Sequence, residues 1–213
     1  MSKISLKHSG GNVVSLNSPT NAPSAADVAF KLPNADGTSG QALVTDASGN
    51  LSFATVAGGK ILQVLQAVKT DTASTASTSF GAISGFSQAI TTTGSNKVLV
   101  RANVKIGMPG GNCLLLRLAR TTSGSTSYIS IGDAASNRIQ ASMGGLLNTQ
   151  PWQIPSSSCE FLDSPGAGTH TYFLEWRVST GSATSYLNRS QRDQDADHAA
   201  RTASTITVME VAA

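Results

Sequence analysis

Charge is scarce in this chain, and so are aromatic rings and cysteines. Asp, Glu, Lys and Arg together make up 13% of the 213 residues and the aromatic residues only 5%, while Ser, Thr, Ala, Gly and Asn dominate. That balance argues against long solvated helices and suits short strands joined by tight turns. The formal charge of +3 comes from scattered Lys and Arg, without the basic cluster that neutralising a phosphate backbone requires, so nucleic acid is not an expected partner. Long apolar runs are missing as well. Ile61 to Val68 and Leu114 to Leu118 fall far short of the roughly 20 residues a membrane-spanning helix needs, so no membrane insertion is expected. The opening stretch Met1 to Lys7 alternates polar with apolar residues and lacks the apolar centre of a secretory signal, which points to synthesis in a cytoplasm. Cys113 and Cys159 are too few for a disulfide framework and have neither CxxC spacing nor neighbouring His ligands. Both are read as buried or half-buried free thiols, and neither a metal nor a cofactor is expected.

What is present divides the chain in two. Residues 1 to about 58 hold three of the seven prolines (Pro19, Pro23, Pro33), many Asn, Asp, Gly and Ser, and no apolar run beyond two or three residues. Such a stretch cannot build a core alone. Between Phe30 and Phe53, short apolar pairs are separated by turn formers at Asn34 to Gly37 and Asp46 to Asn50, the pattern of a small β-meander. Its apolar residues, Leu32, Leu43, Val44, Leu51 and Phe53, have little to pack against within one chain. They are expected to be covered by copies of themselves around an axis or by a larger particle. The alternative on composition is a flexible tail.

Gly58-Gly59 marks the boundary, and residues 59–213 form the second part. Strands are predicted at about 60–69, 88–92, 97–106, 113–121, 127–131, 138–143, 159–162, 169–180, 185–188 and 204–211. The clearest is Thr169 to Thr180, where Tyr172, Leu174, Trp176 and Val178 alternate with Thr171, Phe173, Glu175 and Arg177. Leu114, Leu116 and Leu118 alternate likewise, as do Ile206 and Val208. About eight to ten short strands in about 150 residues favour an all-β, jelly-roll-type sandwich behind an extended N-terminal meander or stalk.

Two groups of residues resemble a known family, the tail-fibre-like and virion-surface proteins of tailed bacteriophages, especially those of marine cyanobacteria. The first is Leu32 to Leu43 (LPNADGTSGQAL) with Thr45 to Phe53 (TDASGNLSF), similar to the LP-x-x-x-G-x-x-G-Q-x-L-x-T-D-x-x-G-x-L-x-F/W segment common in phage fibre proteins. The second lies in the head: Ile61 to Val64 at its opening, Ser95 to Val100 at an early strand, and Arg201 to Val211 at its close. The resemblance implies a homotrimeric jelly-roll head on a short stalk, attached to other virion proteins through its N-terminal end. The large anchoring domain of long tail fibres is lacking, so tail, collar and capsid remain alternative locations. A non-enzymatic trimeric fibre or spike on the virion surface is the first reading, and a capsid decoration protein the second.

A glycan hydrolase is the third, because paired carboxylates cut polysaccharide. Glu160, Asp163 and Glu175 are its candidates, with Glu175 more simply explained as an exposed or paired sheet residue. His8, His170 and His198 have no nucleophile in a recognisable elbow, and GxSxG is absent. Asp193, Asp195 and Asp197 stand at alternate positions, either as an oxygen-ligand site for calcium or as a solvated loop with local Arg to Asp pairing. The second is favoured, because a central Gly and a later Glu are lacking. The loops at 128–138, 144–158 and 187–201 are the expected contact surfaces. Trp152, Tyr186, Asn188, Arg189 and Arg192 are candidate contacts to a host glycan or protein, the plainer role of Trp152 being to cover the core edge.

Overall fold

A computed structural model describes residues 3–17, 30–48, 50–55, 60–146, 150–181 and 183–213. Among them there is no helix, and so none long and apolar enough to cross a membrane. The chain separates into two compact units, Met1–Gly58 and Gly59–Ala213.

The first unit holds two antiparallel hairpins. Strand β1 (Lys3–Lys7) pairs with β2 (Val13–Asn17), and β3 (Gln41–Thr45) with β4 (Leu51–Thr55). Only the second was predicted from the sequence. Its turn is organised by Asp46, whose carboxylate accepts the backbone N–H groups of Ser48 (2.8 Å) and Asn50 (3.1 Å) and the side-chain amide of Asn50. These bonds, led by that of the Asn50 side chain, hold the Asp46 carboxyl below the ordinary carboxylate range. The Lys31 carbonyl accepts the Leu51 N–H at 2.8 Å, tying the preceding segment to β4.

The second unit is a two-sheet sandwich. Its strands are β5 (Ile61–Lys69), β6 (Ala73–Thr75), β7 (Gly81–Thr92), β8 (Lys97–Gly107), β9 (Leu114–Thr122), β10 (Ser125–Ile129), β11 (Met143–Leu146), β12 (Ser156–Asp163), β13 (Gly168–Val178), β14 (Ser185–Leu187) and β15 (Ser204–Val211). One sheet runs β5-β15-β8 and adds β12 on the far side of β8; the other runs β7-β13-β9 and adds β10 and β11 along the far edge of β9. With β10 and β11 counted as one position and the short β6 and β14 set aside, the orders are first-eighth-third-sixth and second-seventh-fourth-fifth. That is the arrangement of a jelly roll. β14 pairs with the last two residues of β8 and in turn holds β6.

Alternation along the strands decides the core. Val98, Val100, Ala102, Val104 and Ile106 of β8 face Leu114, Leu116 and Leu118 of β9 and Tyr172, Leu174, Trp176 and Val178 of β13 in one buried cluster, closed by Ile206 and Val208 of β15. The Ser123-Gly124 corner between β9 and β10 has positive φ at both residues, 49° and 82°, the geometry a two-residue hairpin turn requires. Gly107 is needed for close approach: a Cβ there would lie 2.2 Å from the Arg189 carbonyl oxygen. The ends of the unit meet, with the Ala212 N–H donating to the Lys60 carbonyl at 2.7 Å.

The strands differ from the sequence reading most at three places, and β12 also starts at Ser156 rather than near 159. β7 begins at Gly81 rather than near residue 88; Gly81, Ser84, Gly85 and Ser87 interrupt the apolar alternation inside the strand. The strand expected at 138–143 is a loop with one Ala135–Arg138 bridge, and pairing resumes at Met143. The three-residue β6 was not foreseen.

Candidate interaction surfaces

In the first unit, none of residues 4–13, 30–48 and 50–55 is buried. Antiparallel register sets Leu43 directly opposite Phe53 and Thr45 opposite Leu51, so Leu43, Leu51 and Phe53 share one face of the β3–β4 hairpin, while Val44 opposite Ser52 points to the other. Leu43 and Phe53 keep 50% and 39% of their surface in water, and Leu32 is more exposed still. Phe53 lies against Gly37, where a Cβ would come within 2.6 Å of the ring. Leu32, Pro33, Asp36, Leu43 and Phe53 frame a shallow hollow of about 350 Å³. Of the five apolar residues read from the sequence, Leu32, Leu43 and Phe53 thus line the hollow, Leu51 shares the hairpin face of Leu43 and Phe53, and Val44 lies on the opposite face.

The candidate contacts of the second unit do not form one surface. Asn188 is a correction: it is fully buried and offers nothing to a receptor. Its side-chain amide donates to the carbonyls of Lys69 (2.7 Å) and Asp71 (2.9 Å), and its Oδ1 accepts the Ser204 hydroxyl at 2.6 Å. Position 188 follows a strand directly, and its polarity serves the joint between β5, β14 and β15. Tyr186 is half-buried with the Arg189 guanidinium 3.8 Å over its ring. Trp152 is 46% exposed, and Arg192 stands 5.7 Å above its ring and donates its backbone N–H to the Pro151 carbonyl at 3.1 Å. Trp152 and Arg192 therefore remain together on the surface.

Asp193 is held between Arg189 at 3.2 Å and Arg201, whereas Asp197 is fully exposed beside His198. Among the described residues, no group of three His, Cys, Asp or Glu side chains converges as a metal site would require. Local Arg to Asp pairing is what the loop contains.

The carboxylates considered for hydrolysis are each engaged by an arginine. Glu160 meets Arg101 at 2.7 Å, Glu175 meets Arg117 at 2.6 Å rather than its sequence neighbour Arg177, and Asp163 meets Arg120. His170 is fully buried, with Thr122 Oγ1 2.8 Å from Nδ1 and the Gly166 carbonyl 3.1 Å from Nε2. Cys113 and Cys159 are free and half-buried. Burial pushes the Cys159 thiol up to about 11.

Sequence reasoning missed both outer faces of the sandwich, although register alone organises them. On the β7-β13-β9 sheet, the Arg117 guanidinium lies 4.1 Å from the Phe80 ring and 3.5 Å from the Tyr128 ring while also pairing with Glu175. Aromatic and charged groups there satisfy one another. The outer face of the β5-β15-β8-β12 sheet is different. Pairing aligns Val64 with Met209, Met209 with Leu99, and Leu99 with Leu162. The result is an aliphatic row crossing all four strands, with Ile61 opposite Val211 beyond a bulge at Leu62. The next row is polar: Gln66, Thr207, Arg101 and Glu160.

No protein-family model matches this chain, and no curated protein matches it. Among solved structures it is similar to the TNF protein Eiger from S. frugiperda, at 11% identity over 66% of this chain and 92% of that one, with a TM-score of 0.33. It is also similar to the VP2 subviral particle of infectious bursal disease virus, at 11% identity over 80% of this chain and 42% of that one, with a TM-score of 0.32. The assignment as a jelly roll rests on the strand order given above.

Proposed function

We propose that this chain is a non-enzymatic structural protein of the surface of a tailed bacteriophage. It is a short homotrimeric fibre or spike that attaches to the particle through residues 1–58 and turns its jelly-roll head outward. One observation carries the reading: residues 30–48 and 50–55 include no buried side chain, yet they present Leu32, Leu43 and Phe53 around a hollow. Covering the part of each side chain still in water would add a share of the ~1.5–3 kcal/mol of full burial. Sister copies or a virion protein supply the missing cover. The LPNADGTSGQAL segment, which resembles phage fibre proteins, includes two of these residues. The engagement of Glu160, Asp163 and Glu175 by arginines supports a role without hydrolysis, and the exposed Trp152 and Arg192 are the residues best placed to touch a host glycan or protein.

Sedimentation of the purified full chain tests the trimer, with a mass of three chains expected and a stable monomer overturning it. Cross-linking of intact particles tests the location: links from residues 1–58 to tail or collar proteins are expected. Links confined to the major capsid protein make the chain a decoration protein instead.

A further inference from the structure

We propose that the outer face of the β5-β15-β8-β12 sheet is the surface through which the heads pack on one another, with the aliphatic row Val64, Met209, Leu99 and Leu162 at its centre. This rests on the homotrimeric reading and names the part of the head that serves it.

The row is exposed in the single chain, with Val64 54% and Leu162 46% accessible. β5 is also an edge strand with Ile61, Leu62 and Val68 in water, an arrangement that invites association unless it is covered. A polar sheet face would need no cover, and on the opposite sheet the Arg117 guanidinium lies over Phe80 and Tyr128, a charged partner that the aliphatic row does not have.

The chemistry of the face selects the occupant. Sugars dock on aromatic rings, and this row contains only Val, Met and Leu, which pack best on other aliphatic side chains. Beside it stand Arg101 and Glu160, both more than half exposed, so the patch carries both signs of charge and the Arg101 of one copy can meet the Glu160 of the next around a threefold axis. The adjoining hollow of about 700 Å³, lined by Gln66, Arg101, Asn103, Lys105, Ser158 and Thr205 among others, provides room for side chains of the neighbouring chain. Four strands by about eight residues give a footprint of roughly 500 Å² before side-chain relief, of the same order as the ~800 Å² per partner of a stable interface. The sequence runs from the first unit directly into β5 through Gly58, Gly59 and Lys60. Copies joined by their first units therefore meet at raised effective concentration.

The test uses the full chain and measures its dissociation on dilution by sedimentation. Val64→Glu combined with Leu162→Glu is expected to raise the trimer dissociation constant at least a hundredfold. The milder pair Val64→Thr and Leu162→Thr, which suits an exposed strand, is expected to raise it about tenfold. Ile139→Glu, an exposed apolar residue outside the face, is the control and should leave it unchanged. Circular dichroism monitors folding, and should the Glu pair fail to fold, the Thr pair decides. A trimer whose dissociation constant is unmoved by the folded variants overturns this inference and leaves the trimeric reading intact. A wild-type chain that is monomeric at every concentration overturns both.

Discussion

Tyr172 donates its phenolic hydrogen to Asp163 Oδ2 at 2.8 Å, and the same carboxylate oxygen receives the Arg120 guanidinium. Asp163 ends β12 in one sheet while Tyr172 and Arg120 belong to β13 and β9 in the other, so this buried triad clamps one end of the sandwich. Its backbone side is closed by the Ser164 N–H, which donates to Oδ1 at 2.9 Å.

Removing the carboxylate leaves the arginine nearly buried without a partner. Asp163→Ala is expected to lower unfolding free energy by about 3–5 kcal/mol. Tyr172→Phe deletes one donor and keeps the ion pair, costing about 1–3 kcal/mol. Urea denaturation of both variants checks the order; a Tyr172→Phe loss as large as that of Asp163→Ala would contradict the assignment.

Alkaline sensitivity follows from two neutral groups. Burial, then the Asp163 carboxylate, pushes the Tyr172 phenol well above its ordinary value, and burial raises the Cys159 thiol to about 11. For both, the folded value lies above the unfolded one and the neutral form is favoured. The associated stability is therefore fully present below about pH 9 and is lost as pH rises further. Thermal midpoints should be level from about pH 6 to 8 and fall beyond about pH 9, and Cys159→Ala should flatten the first part of the fall.

Acid sensitivity has its own source in Glu210, a buried carboxylate of β15. It accepts hydrogen bonds from the Asn96 side chain (2.8 Å), the Gln63 side chain (2.7 Å) and the Thr93 N–H (3.1 Å), which together hold it below the ordinary range. A depressed folded value means stability that is present above about pH 4.3 and lost as pH falls. Glu210→Gln should reduce the pH dependence of the midpoint below about pH 5; an unchanged acid slope would remove Glu210 as its origin.

Asn188→Ala is expected to cost about 2–4 kcal/mol, since it removes the amide donor from the carbonyls of Lys69 and Asp71 and the acceptor of the Ser204 O–H, which keeps only the Lys105 N–H it accepts. Gly107→Ala should cost about 1–3 kcal/mol or more, because the Arg189 carbonyl must withdraw. Chemical denaturation measures both, and tolerance of either substitution would contradict the close packing of the 187–190 segment on β8.

Residues 59–213 produced without the first unit should remain a cooperatively unfolding β protein, because the buried cluster lies wholly within them. Its thermal midpoint in dilute solution gives the check, with a molten or aggregated product as the contrary result.

Period two was legible wherever a strand had one wet and one dry face. Tyr172, Leu174, Trp176 and Val178 of β13 and Ile206 and Val208 of β15 were read correctly from alternation. β7 was truncated because Gly81, Ser84, Gly85 and Ser87 break the apolar alternation, and the strand continues there through the pairing of Gly81, Ala82 and Ser87 with a β13 more than 80 residues away, Ser84 and Gly85 lying in the bulge between them. The pairing of Glu175 with Arg117 and the row from Val64 to Leu162 depend on register between distant strands, which local pattern does not encode. Asn188 was misassigned to the surface for a related reason: its polarity signalled exposure, whereas its partners are carbonyls more than 110 residues earlier.

The hydrogen bond from Ala212 to Lys60 brings entry and exit of the head to a single spot. A module of that kind behaves as a pendant: spliced into an exposed loop of an unrelated carrier, it demands almost no widening of the graft site. Joining residues 60 and 212 by a short linker and opening the chain at the Ser123-Gly124 corner should likewise yield a permuted head.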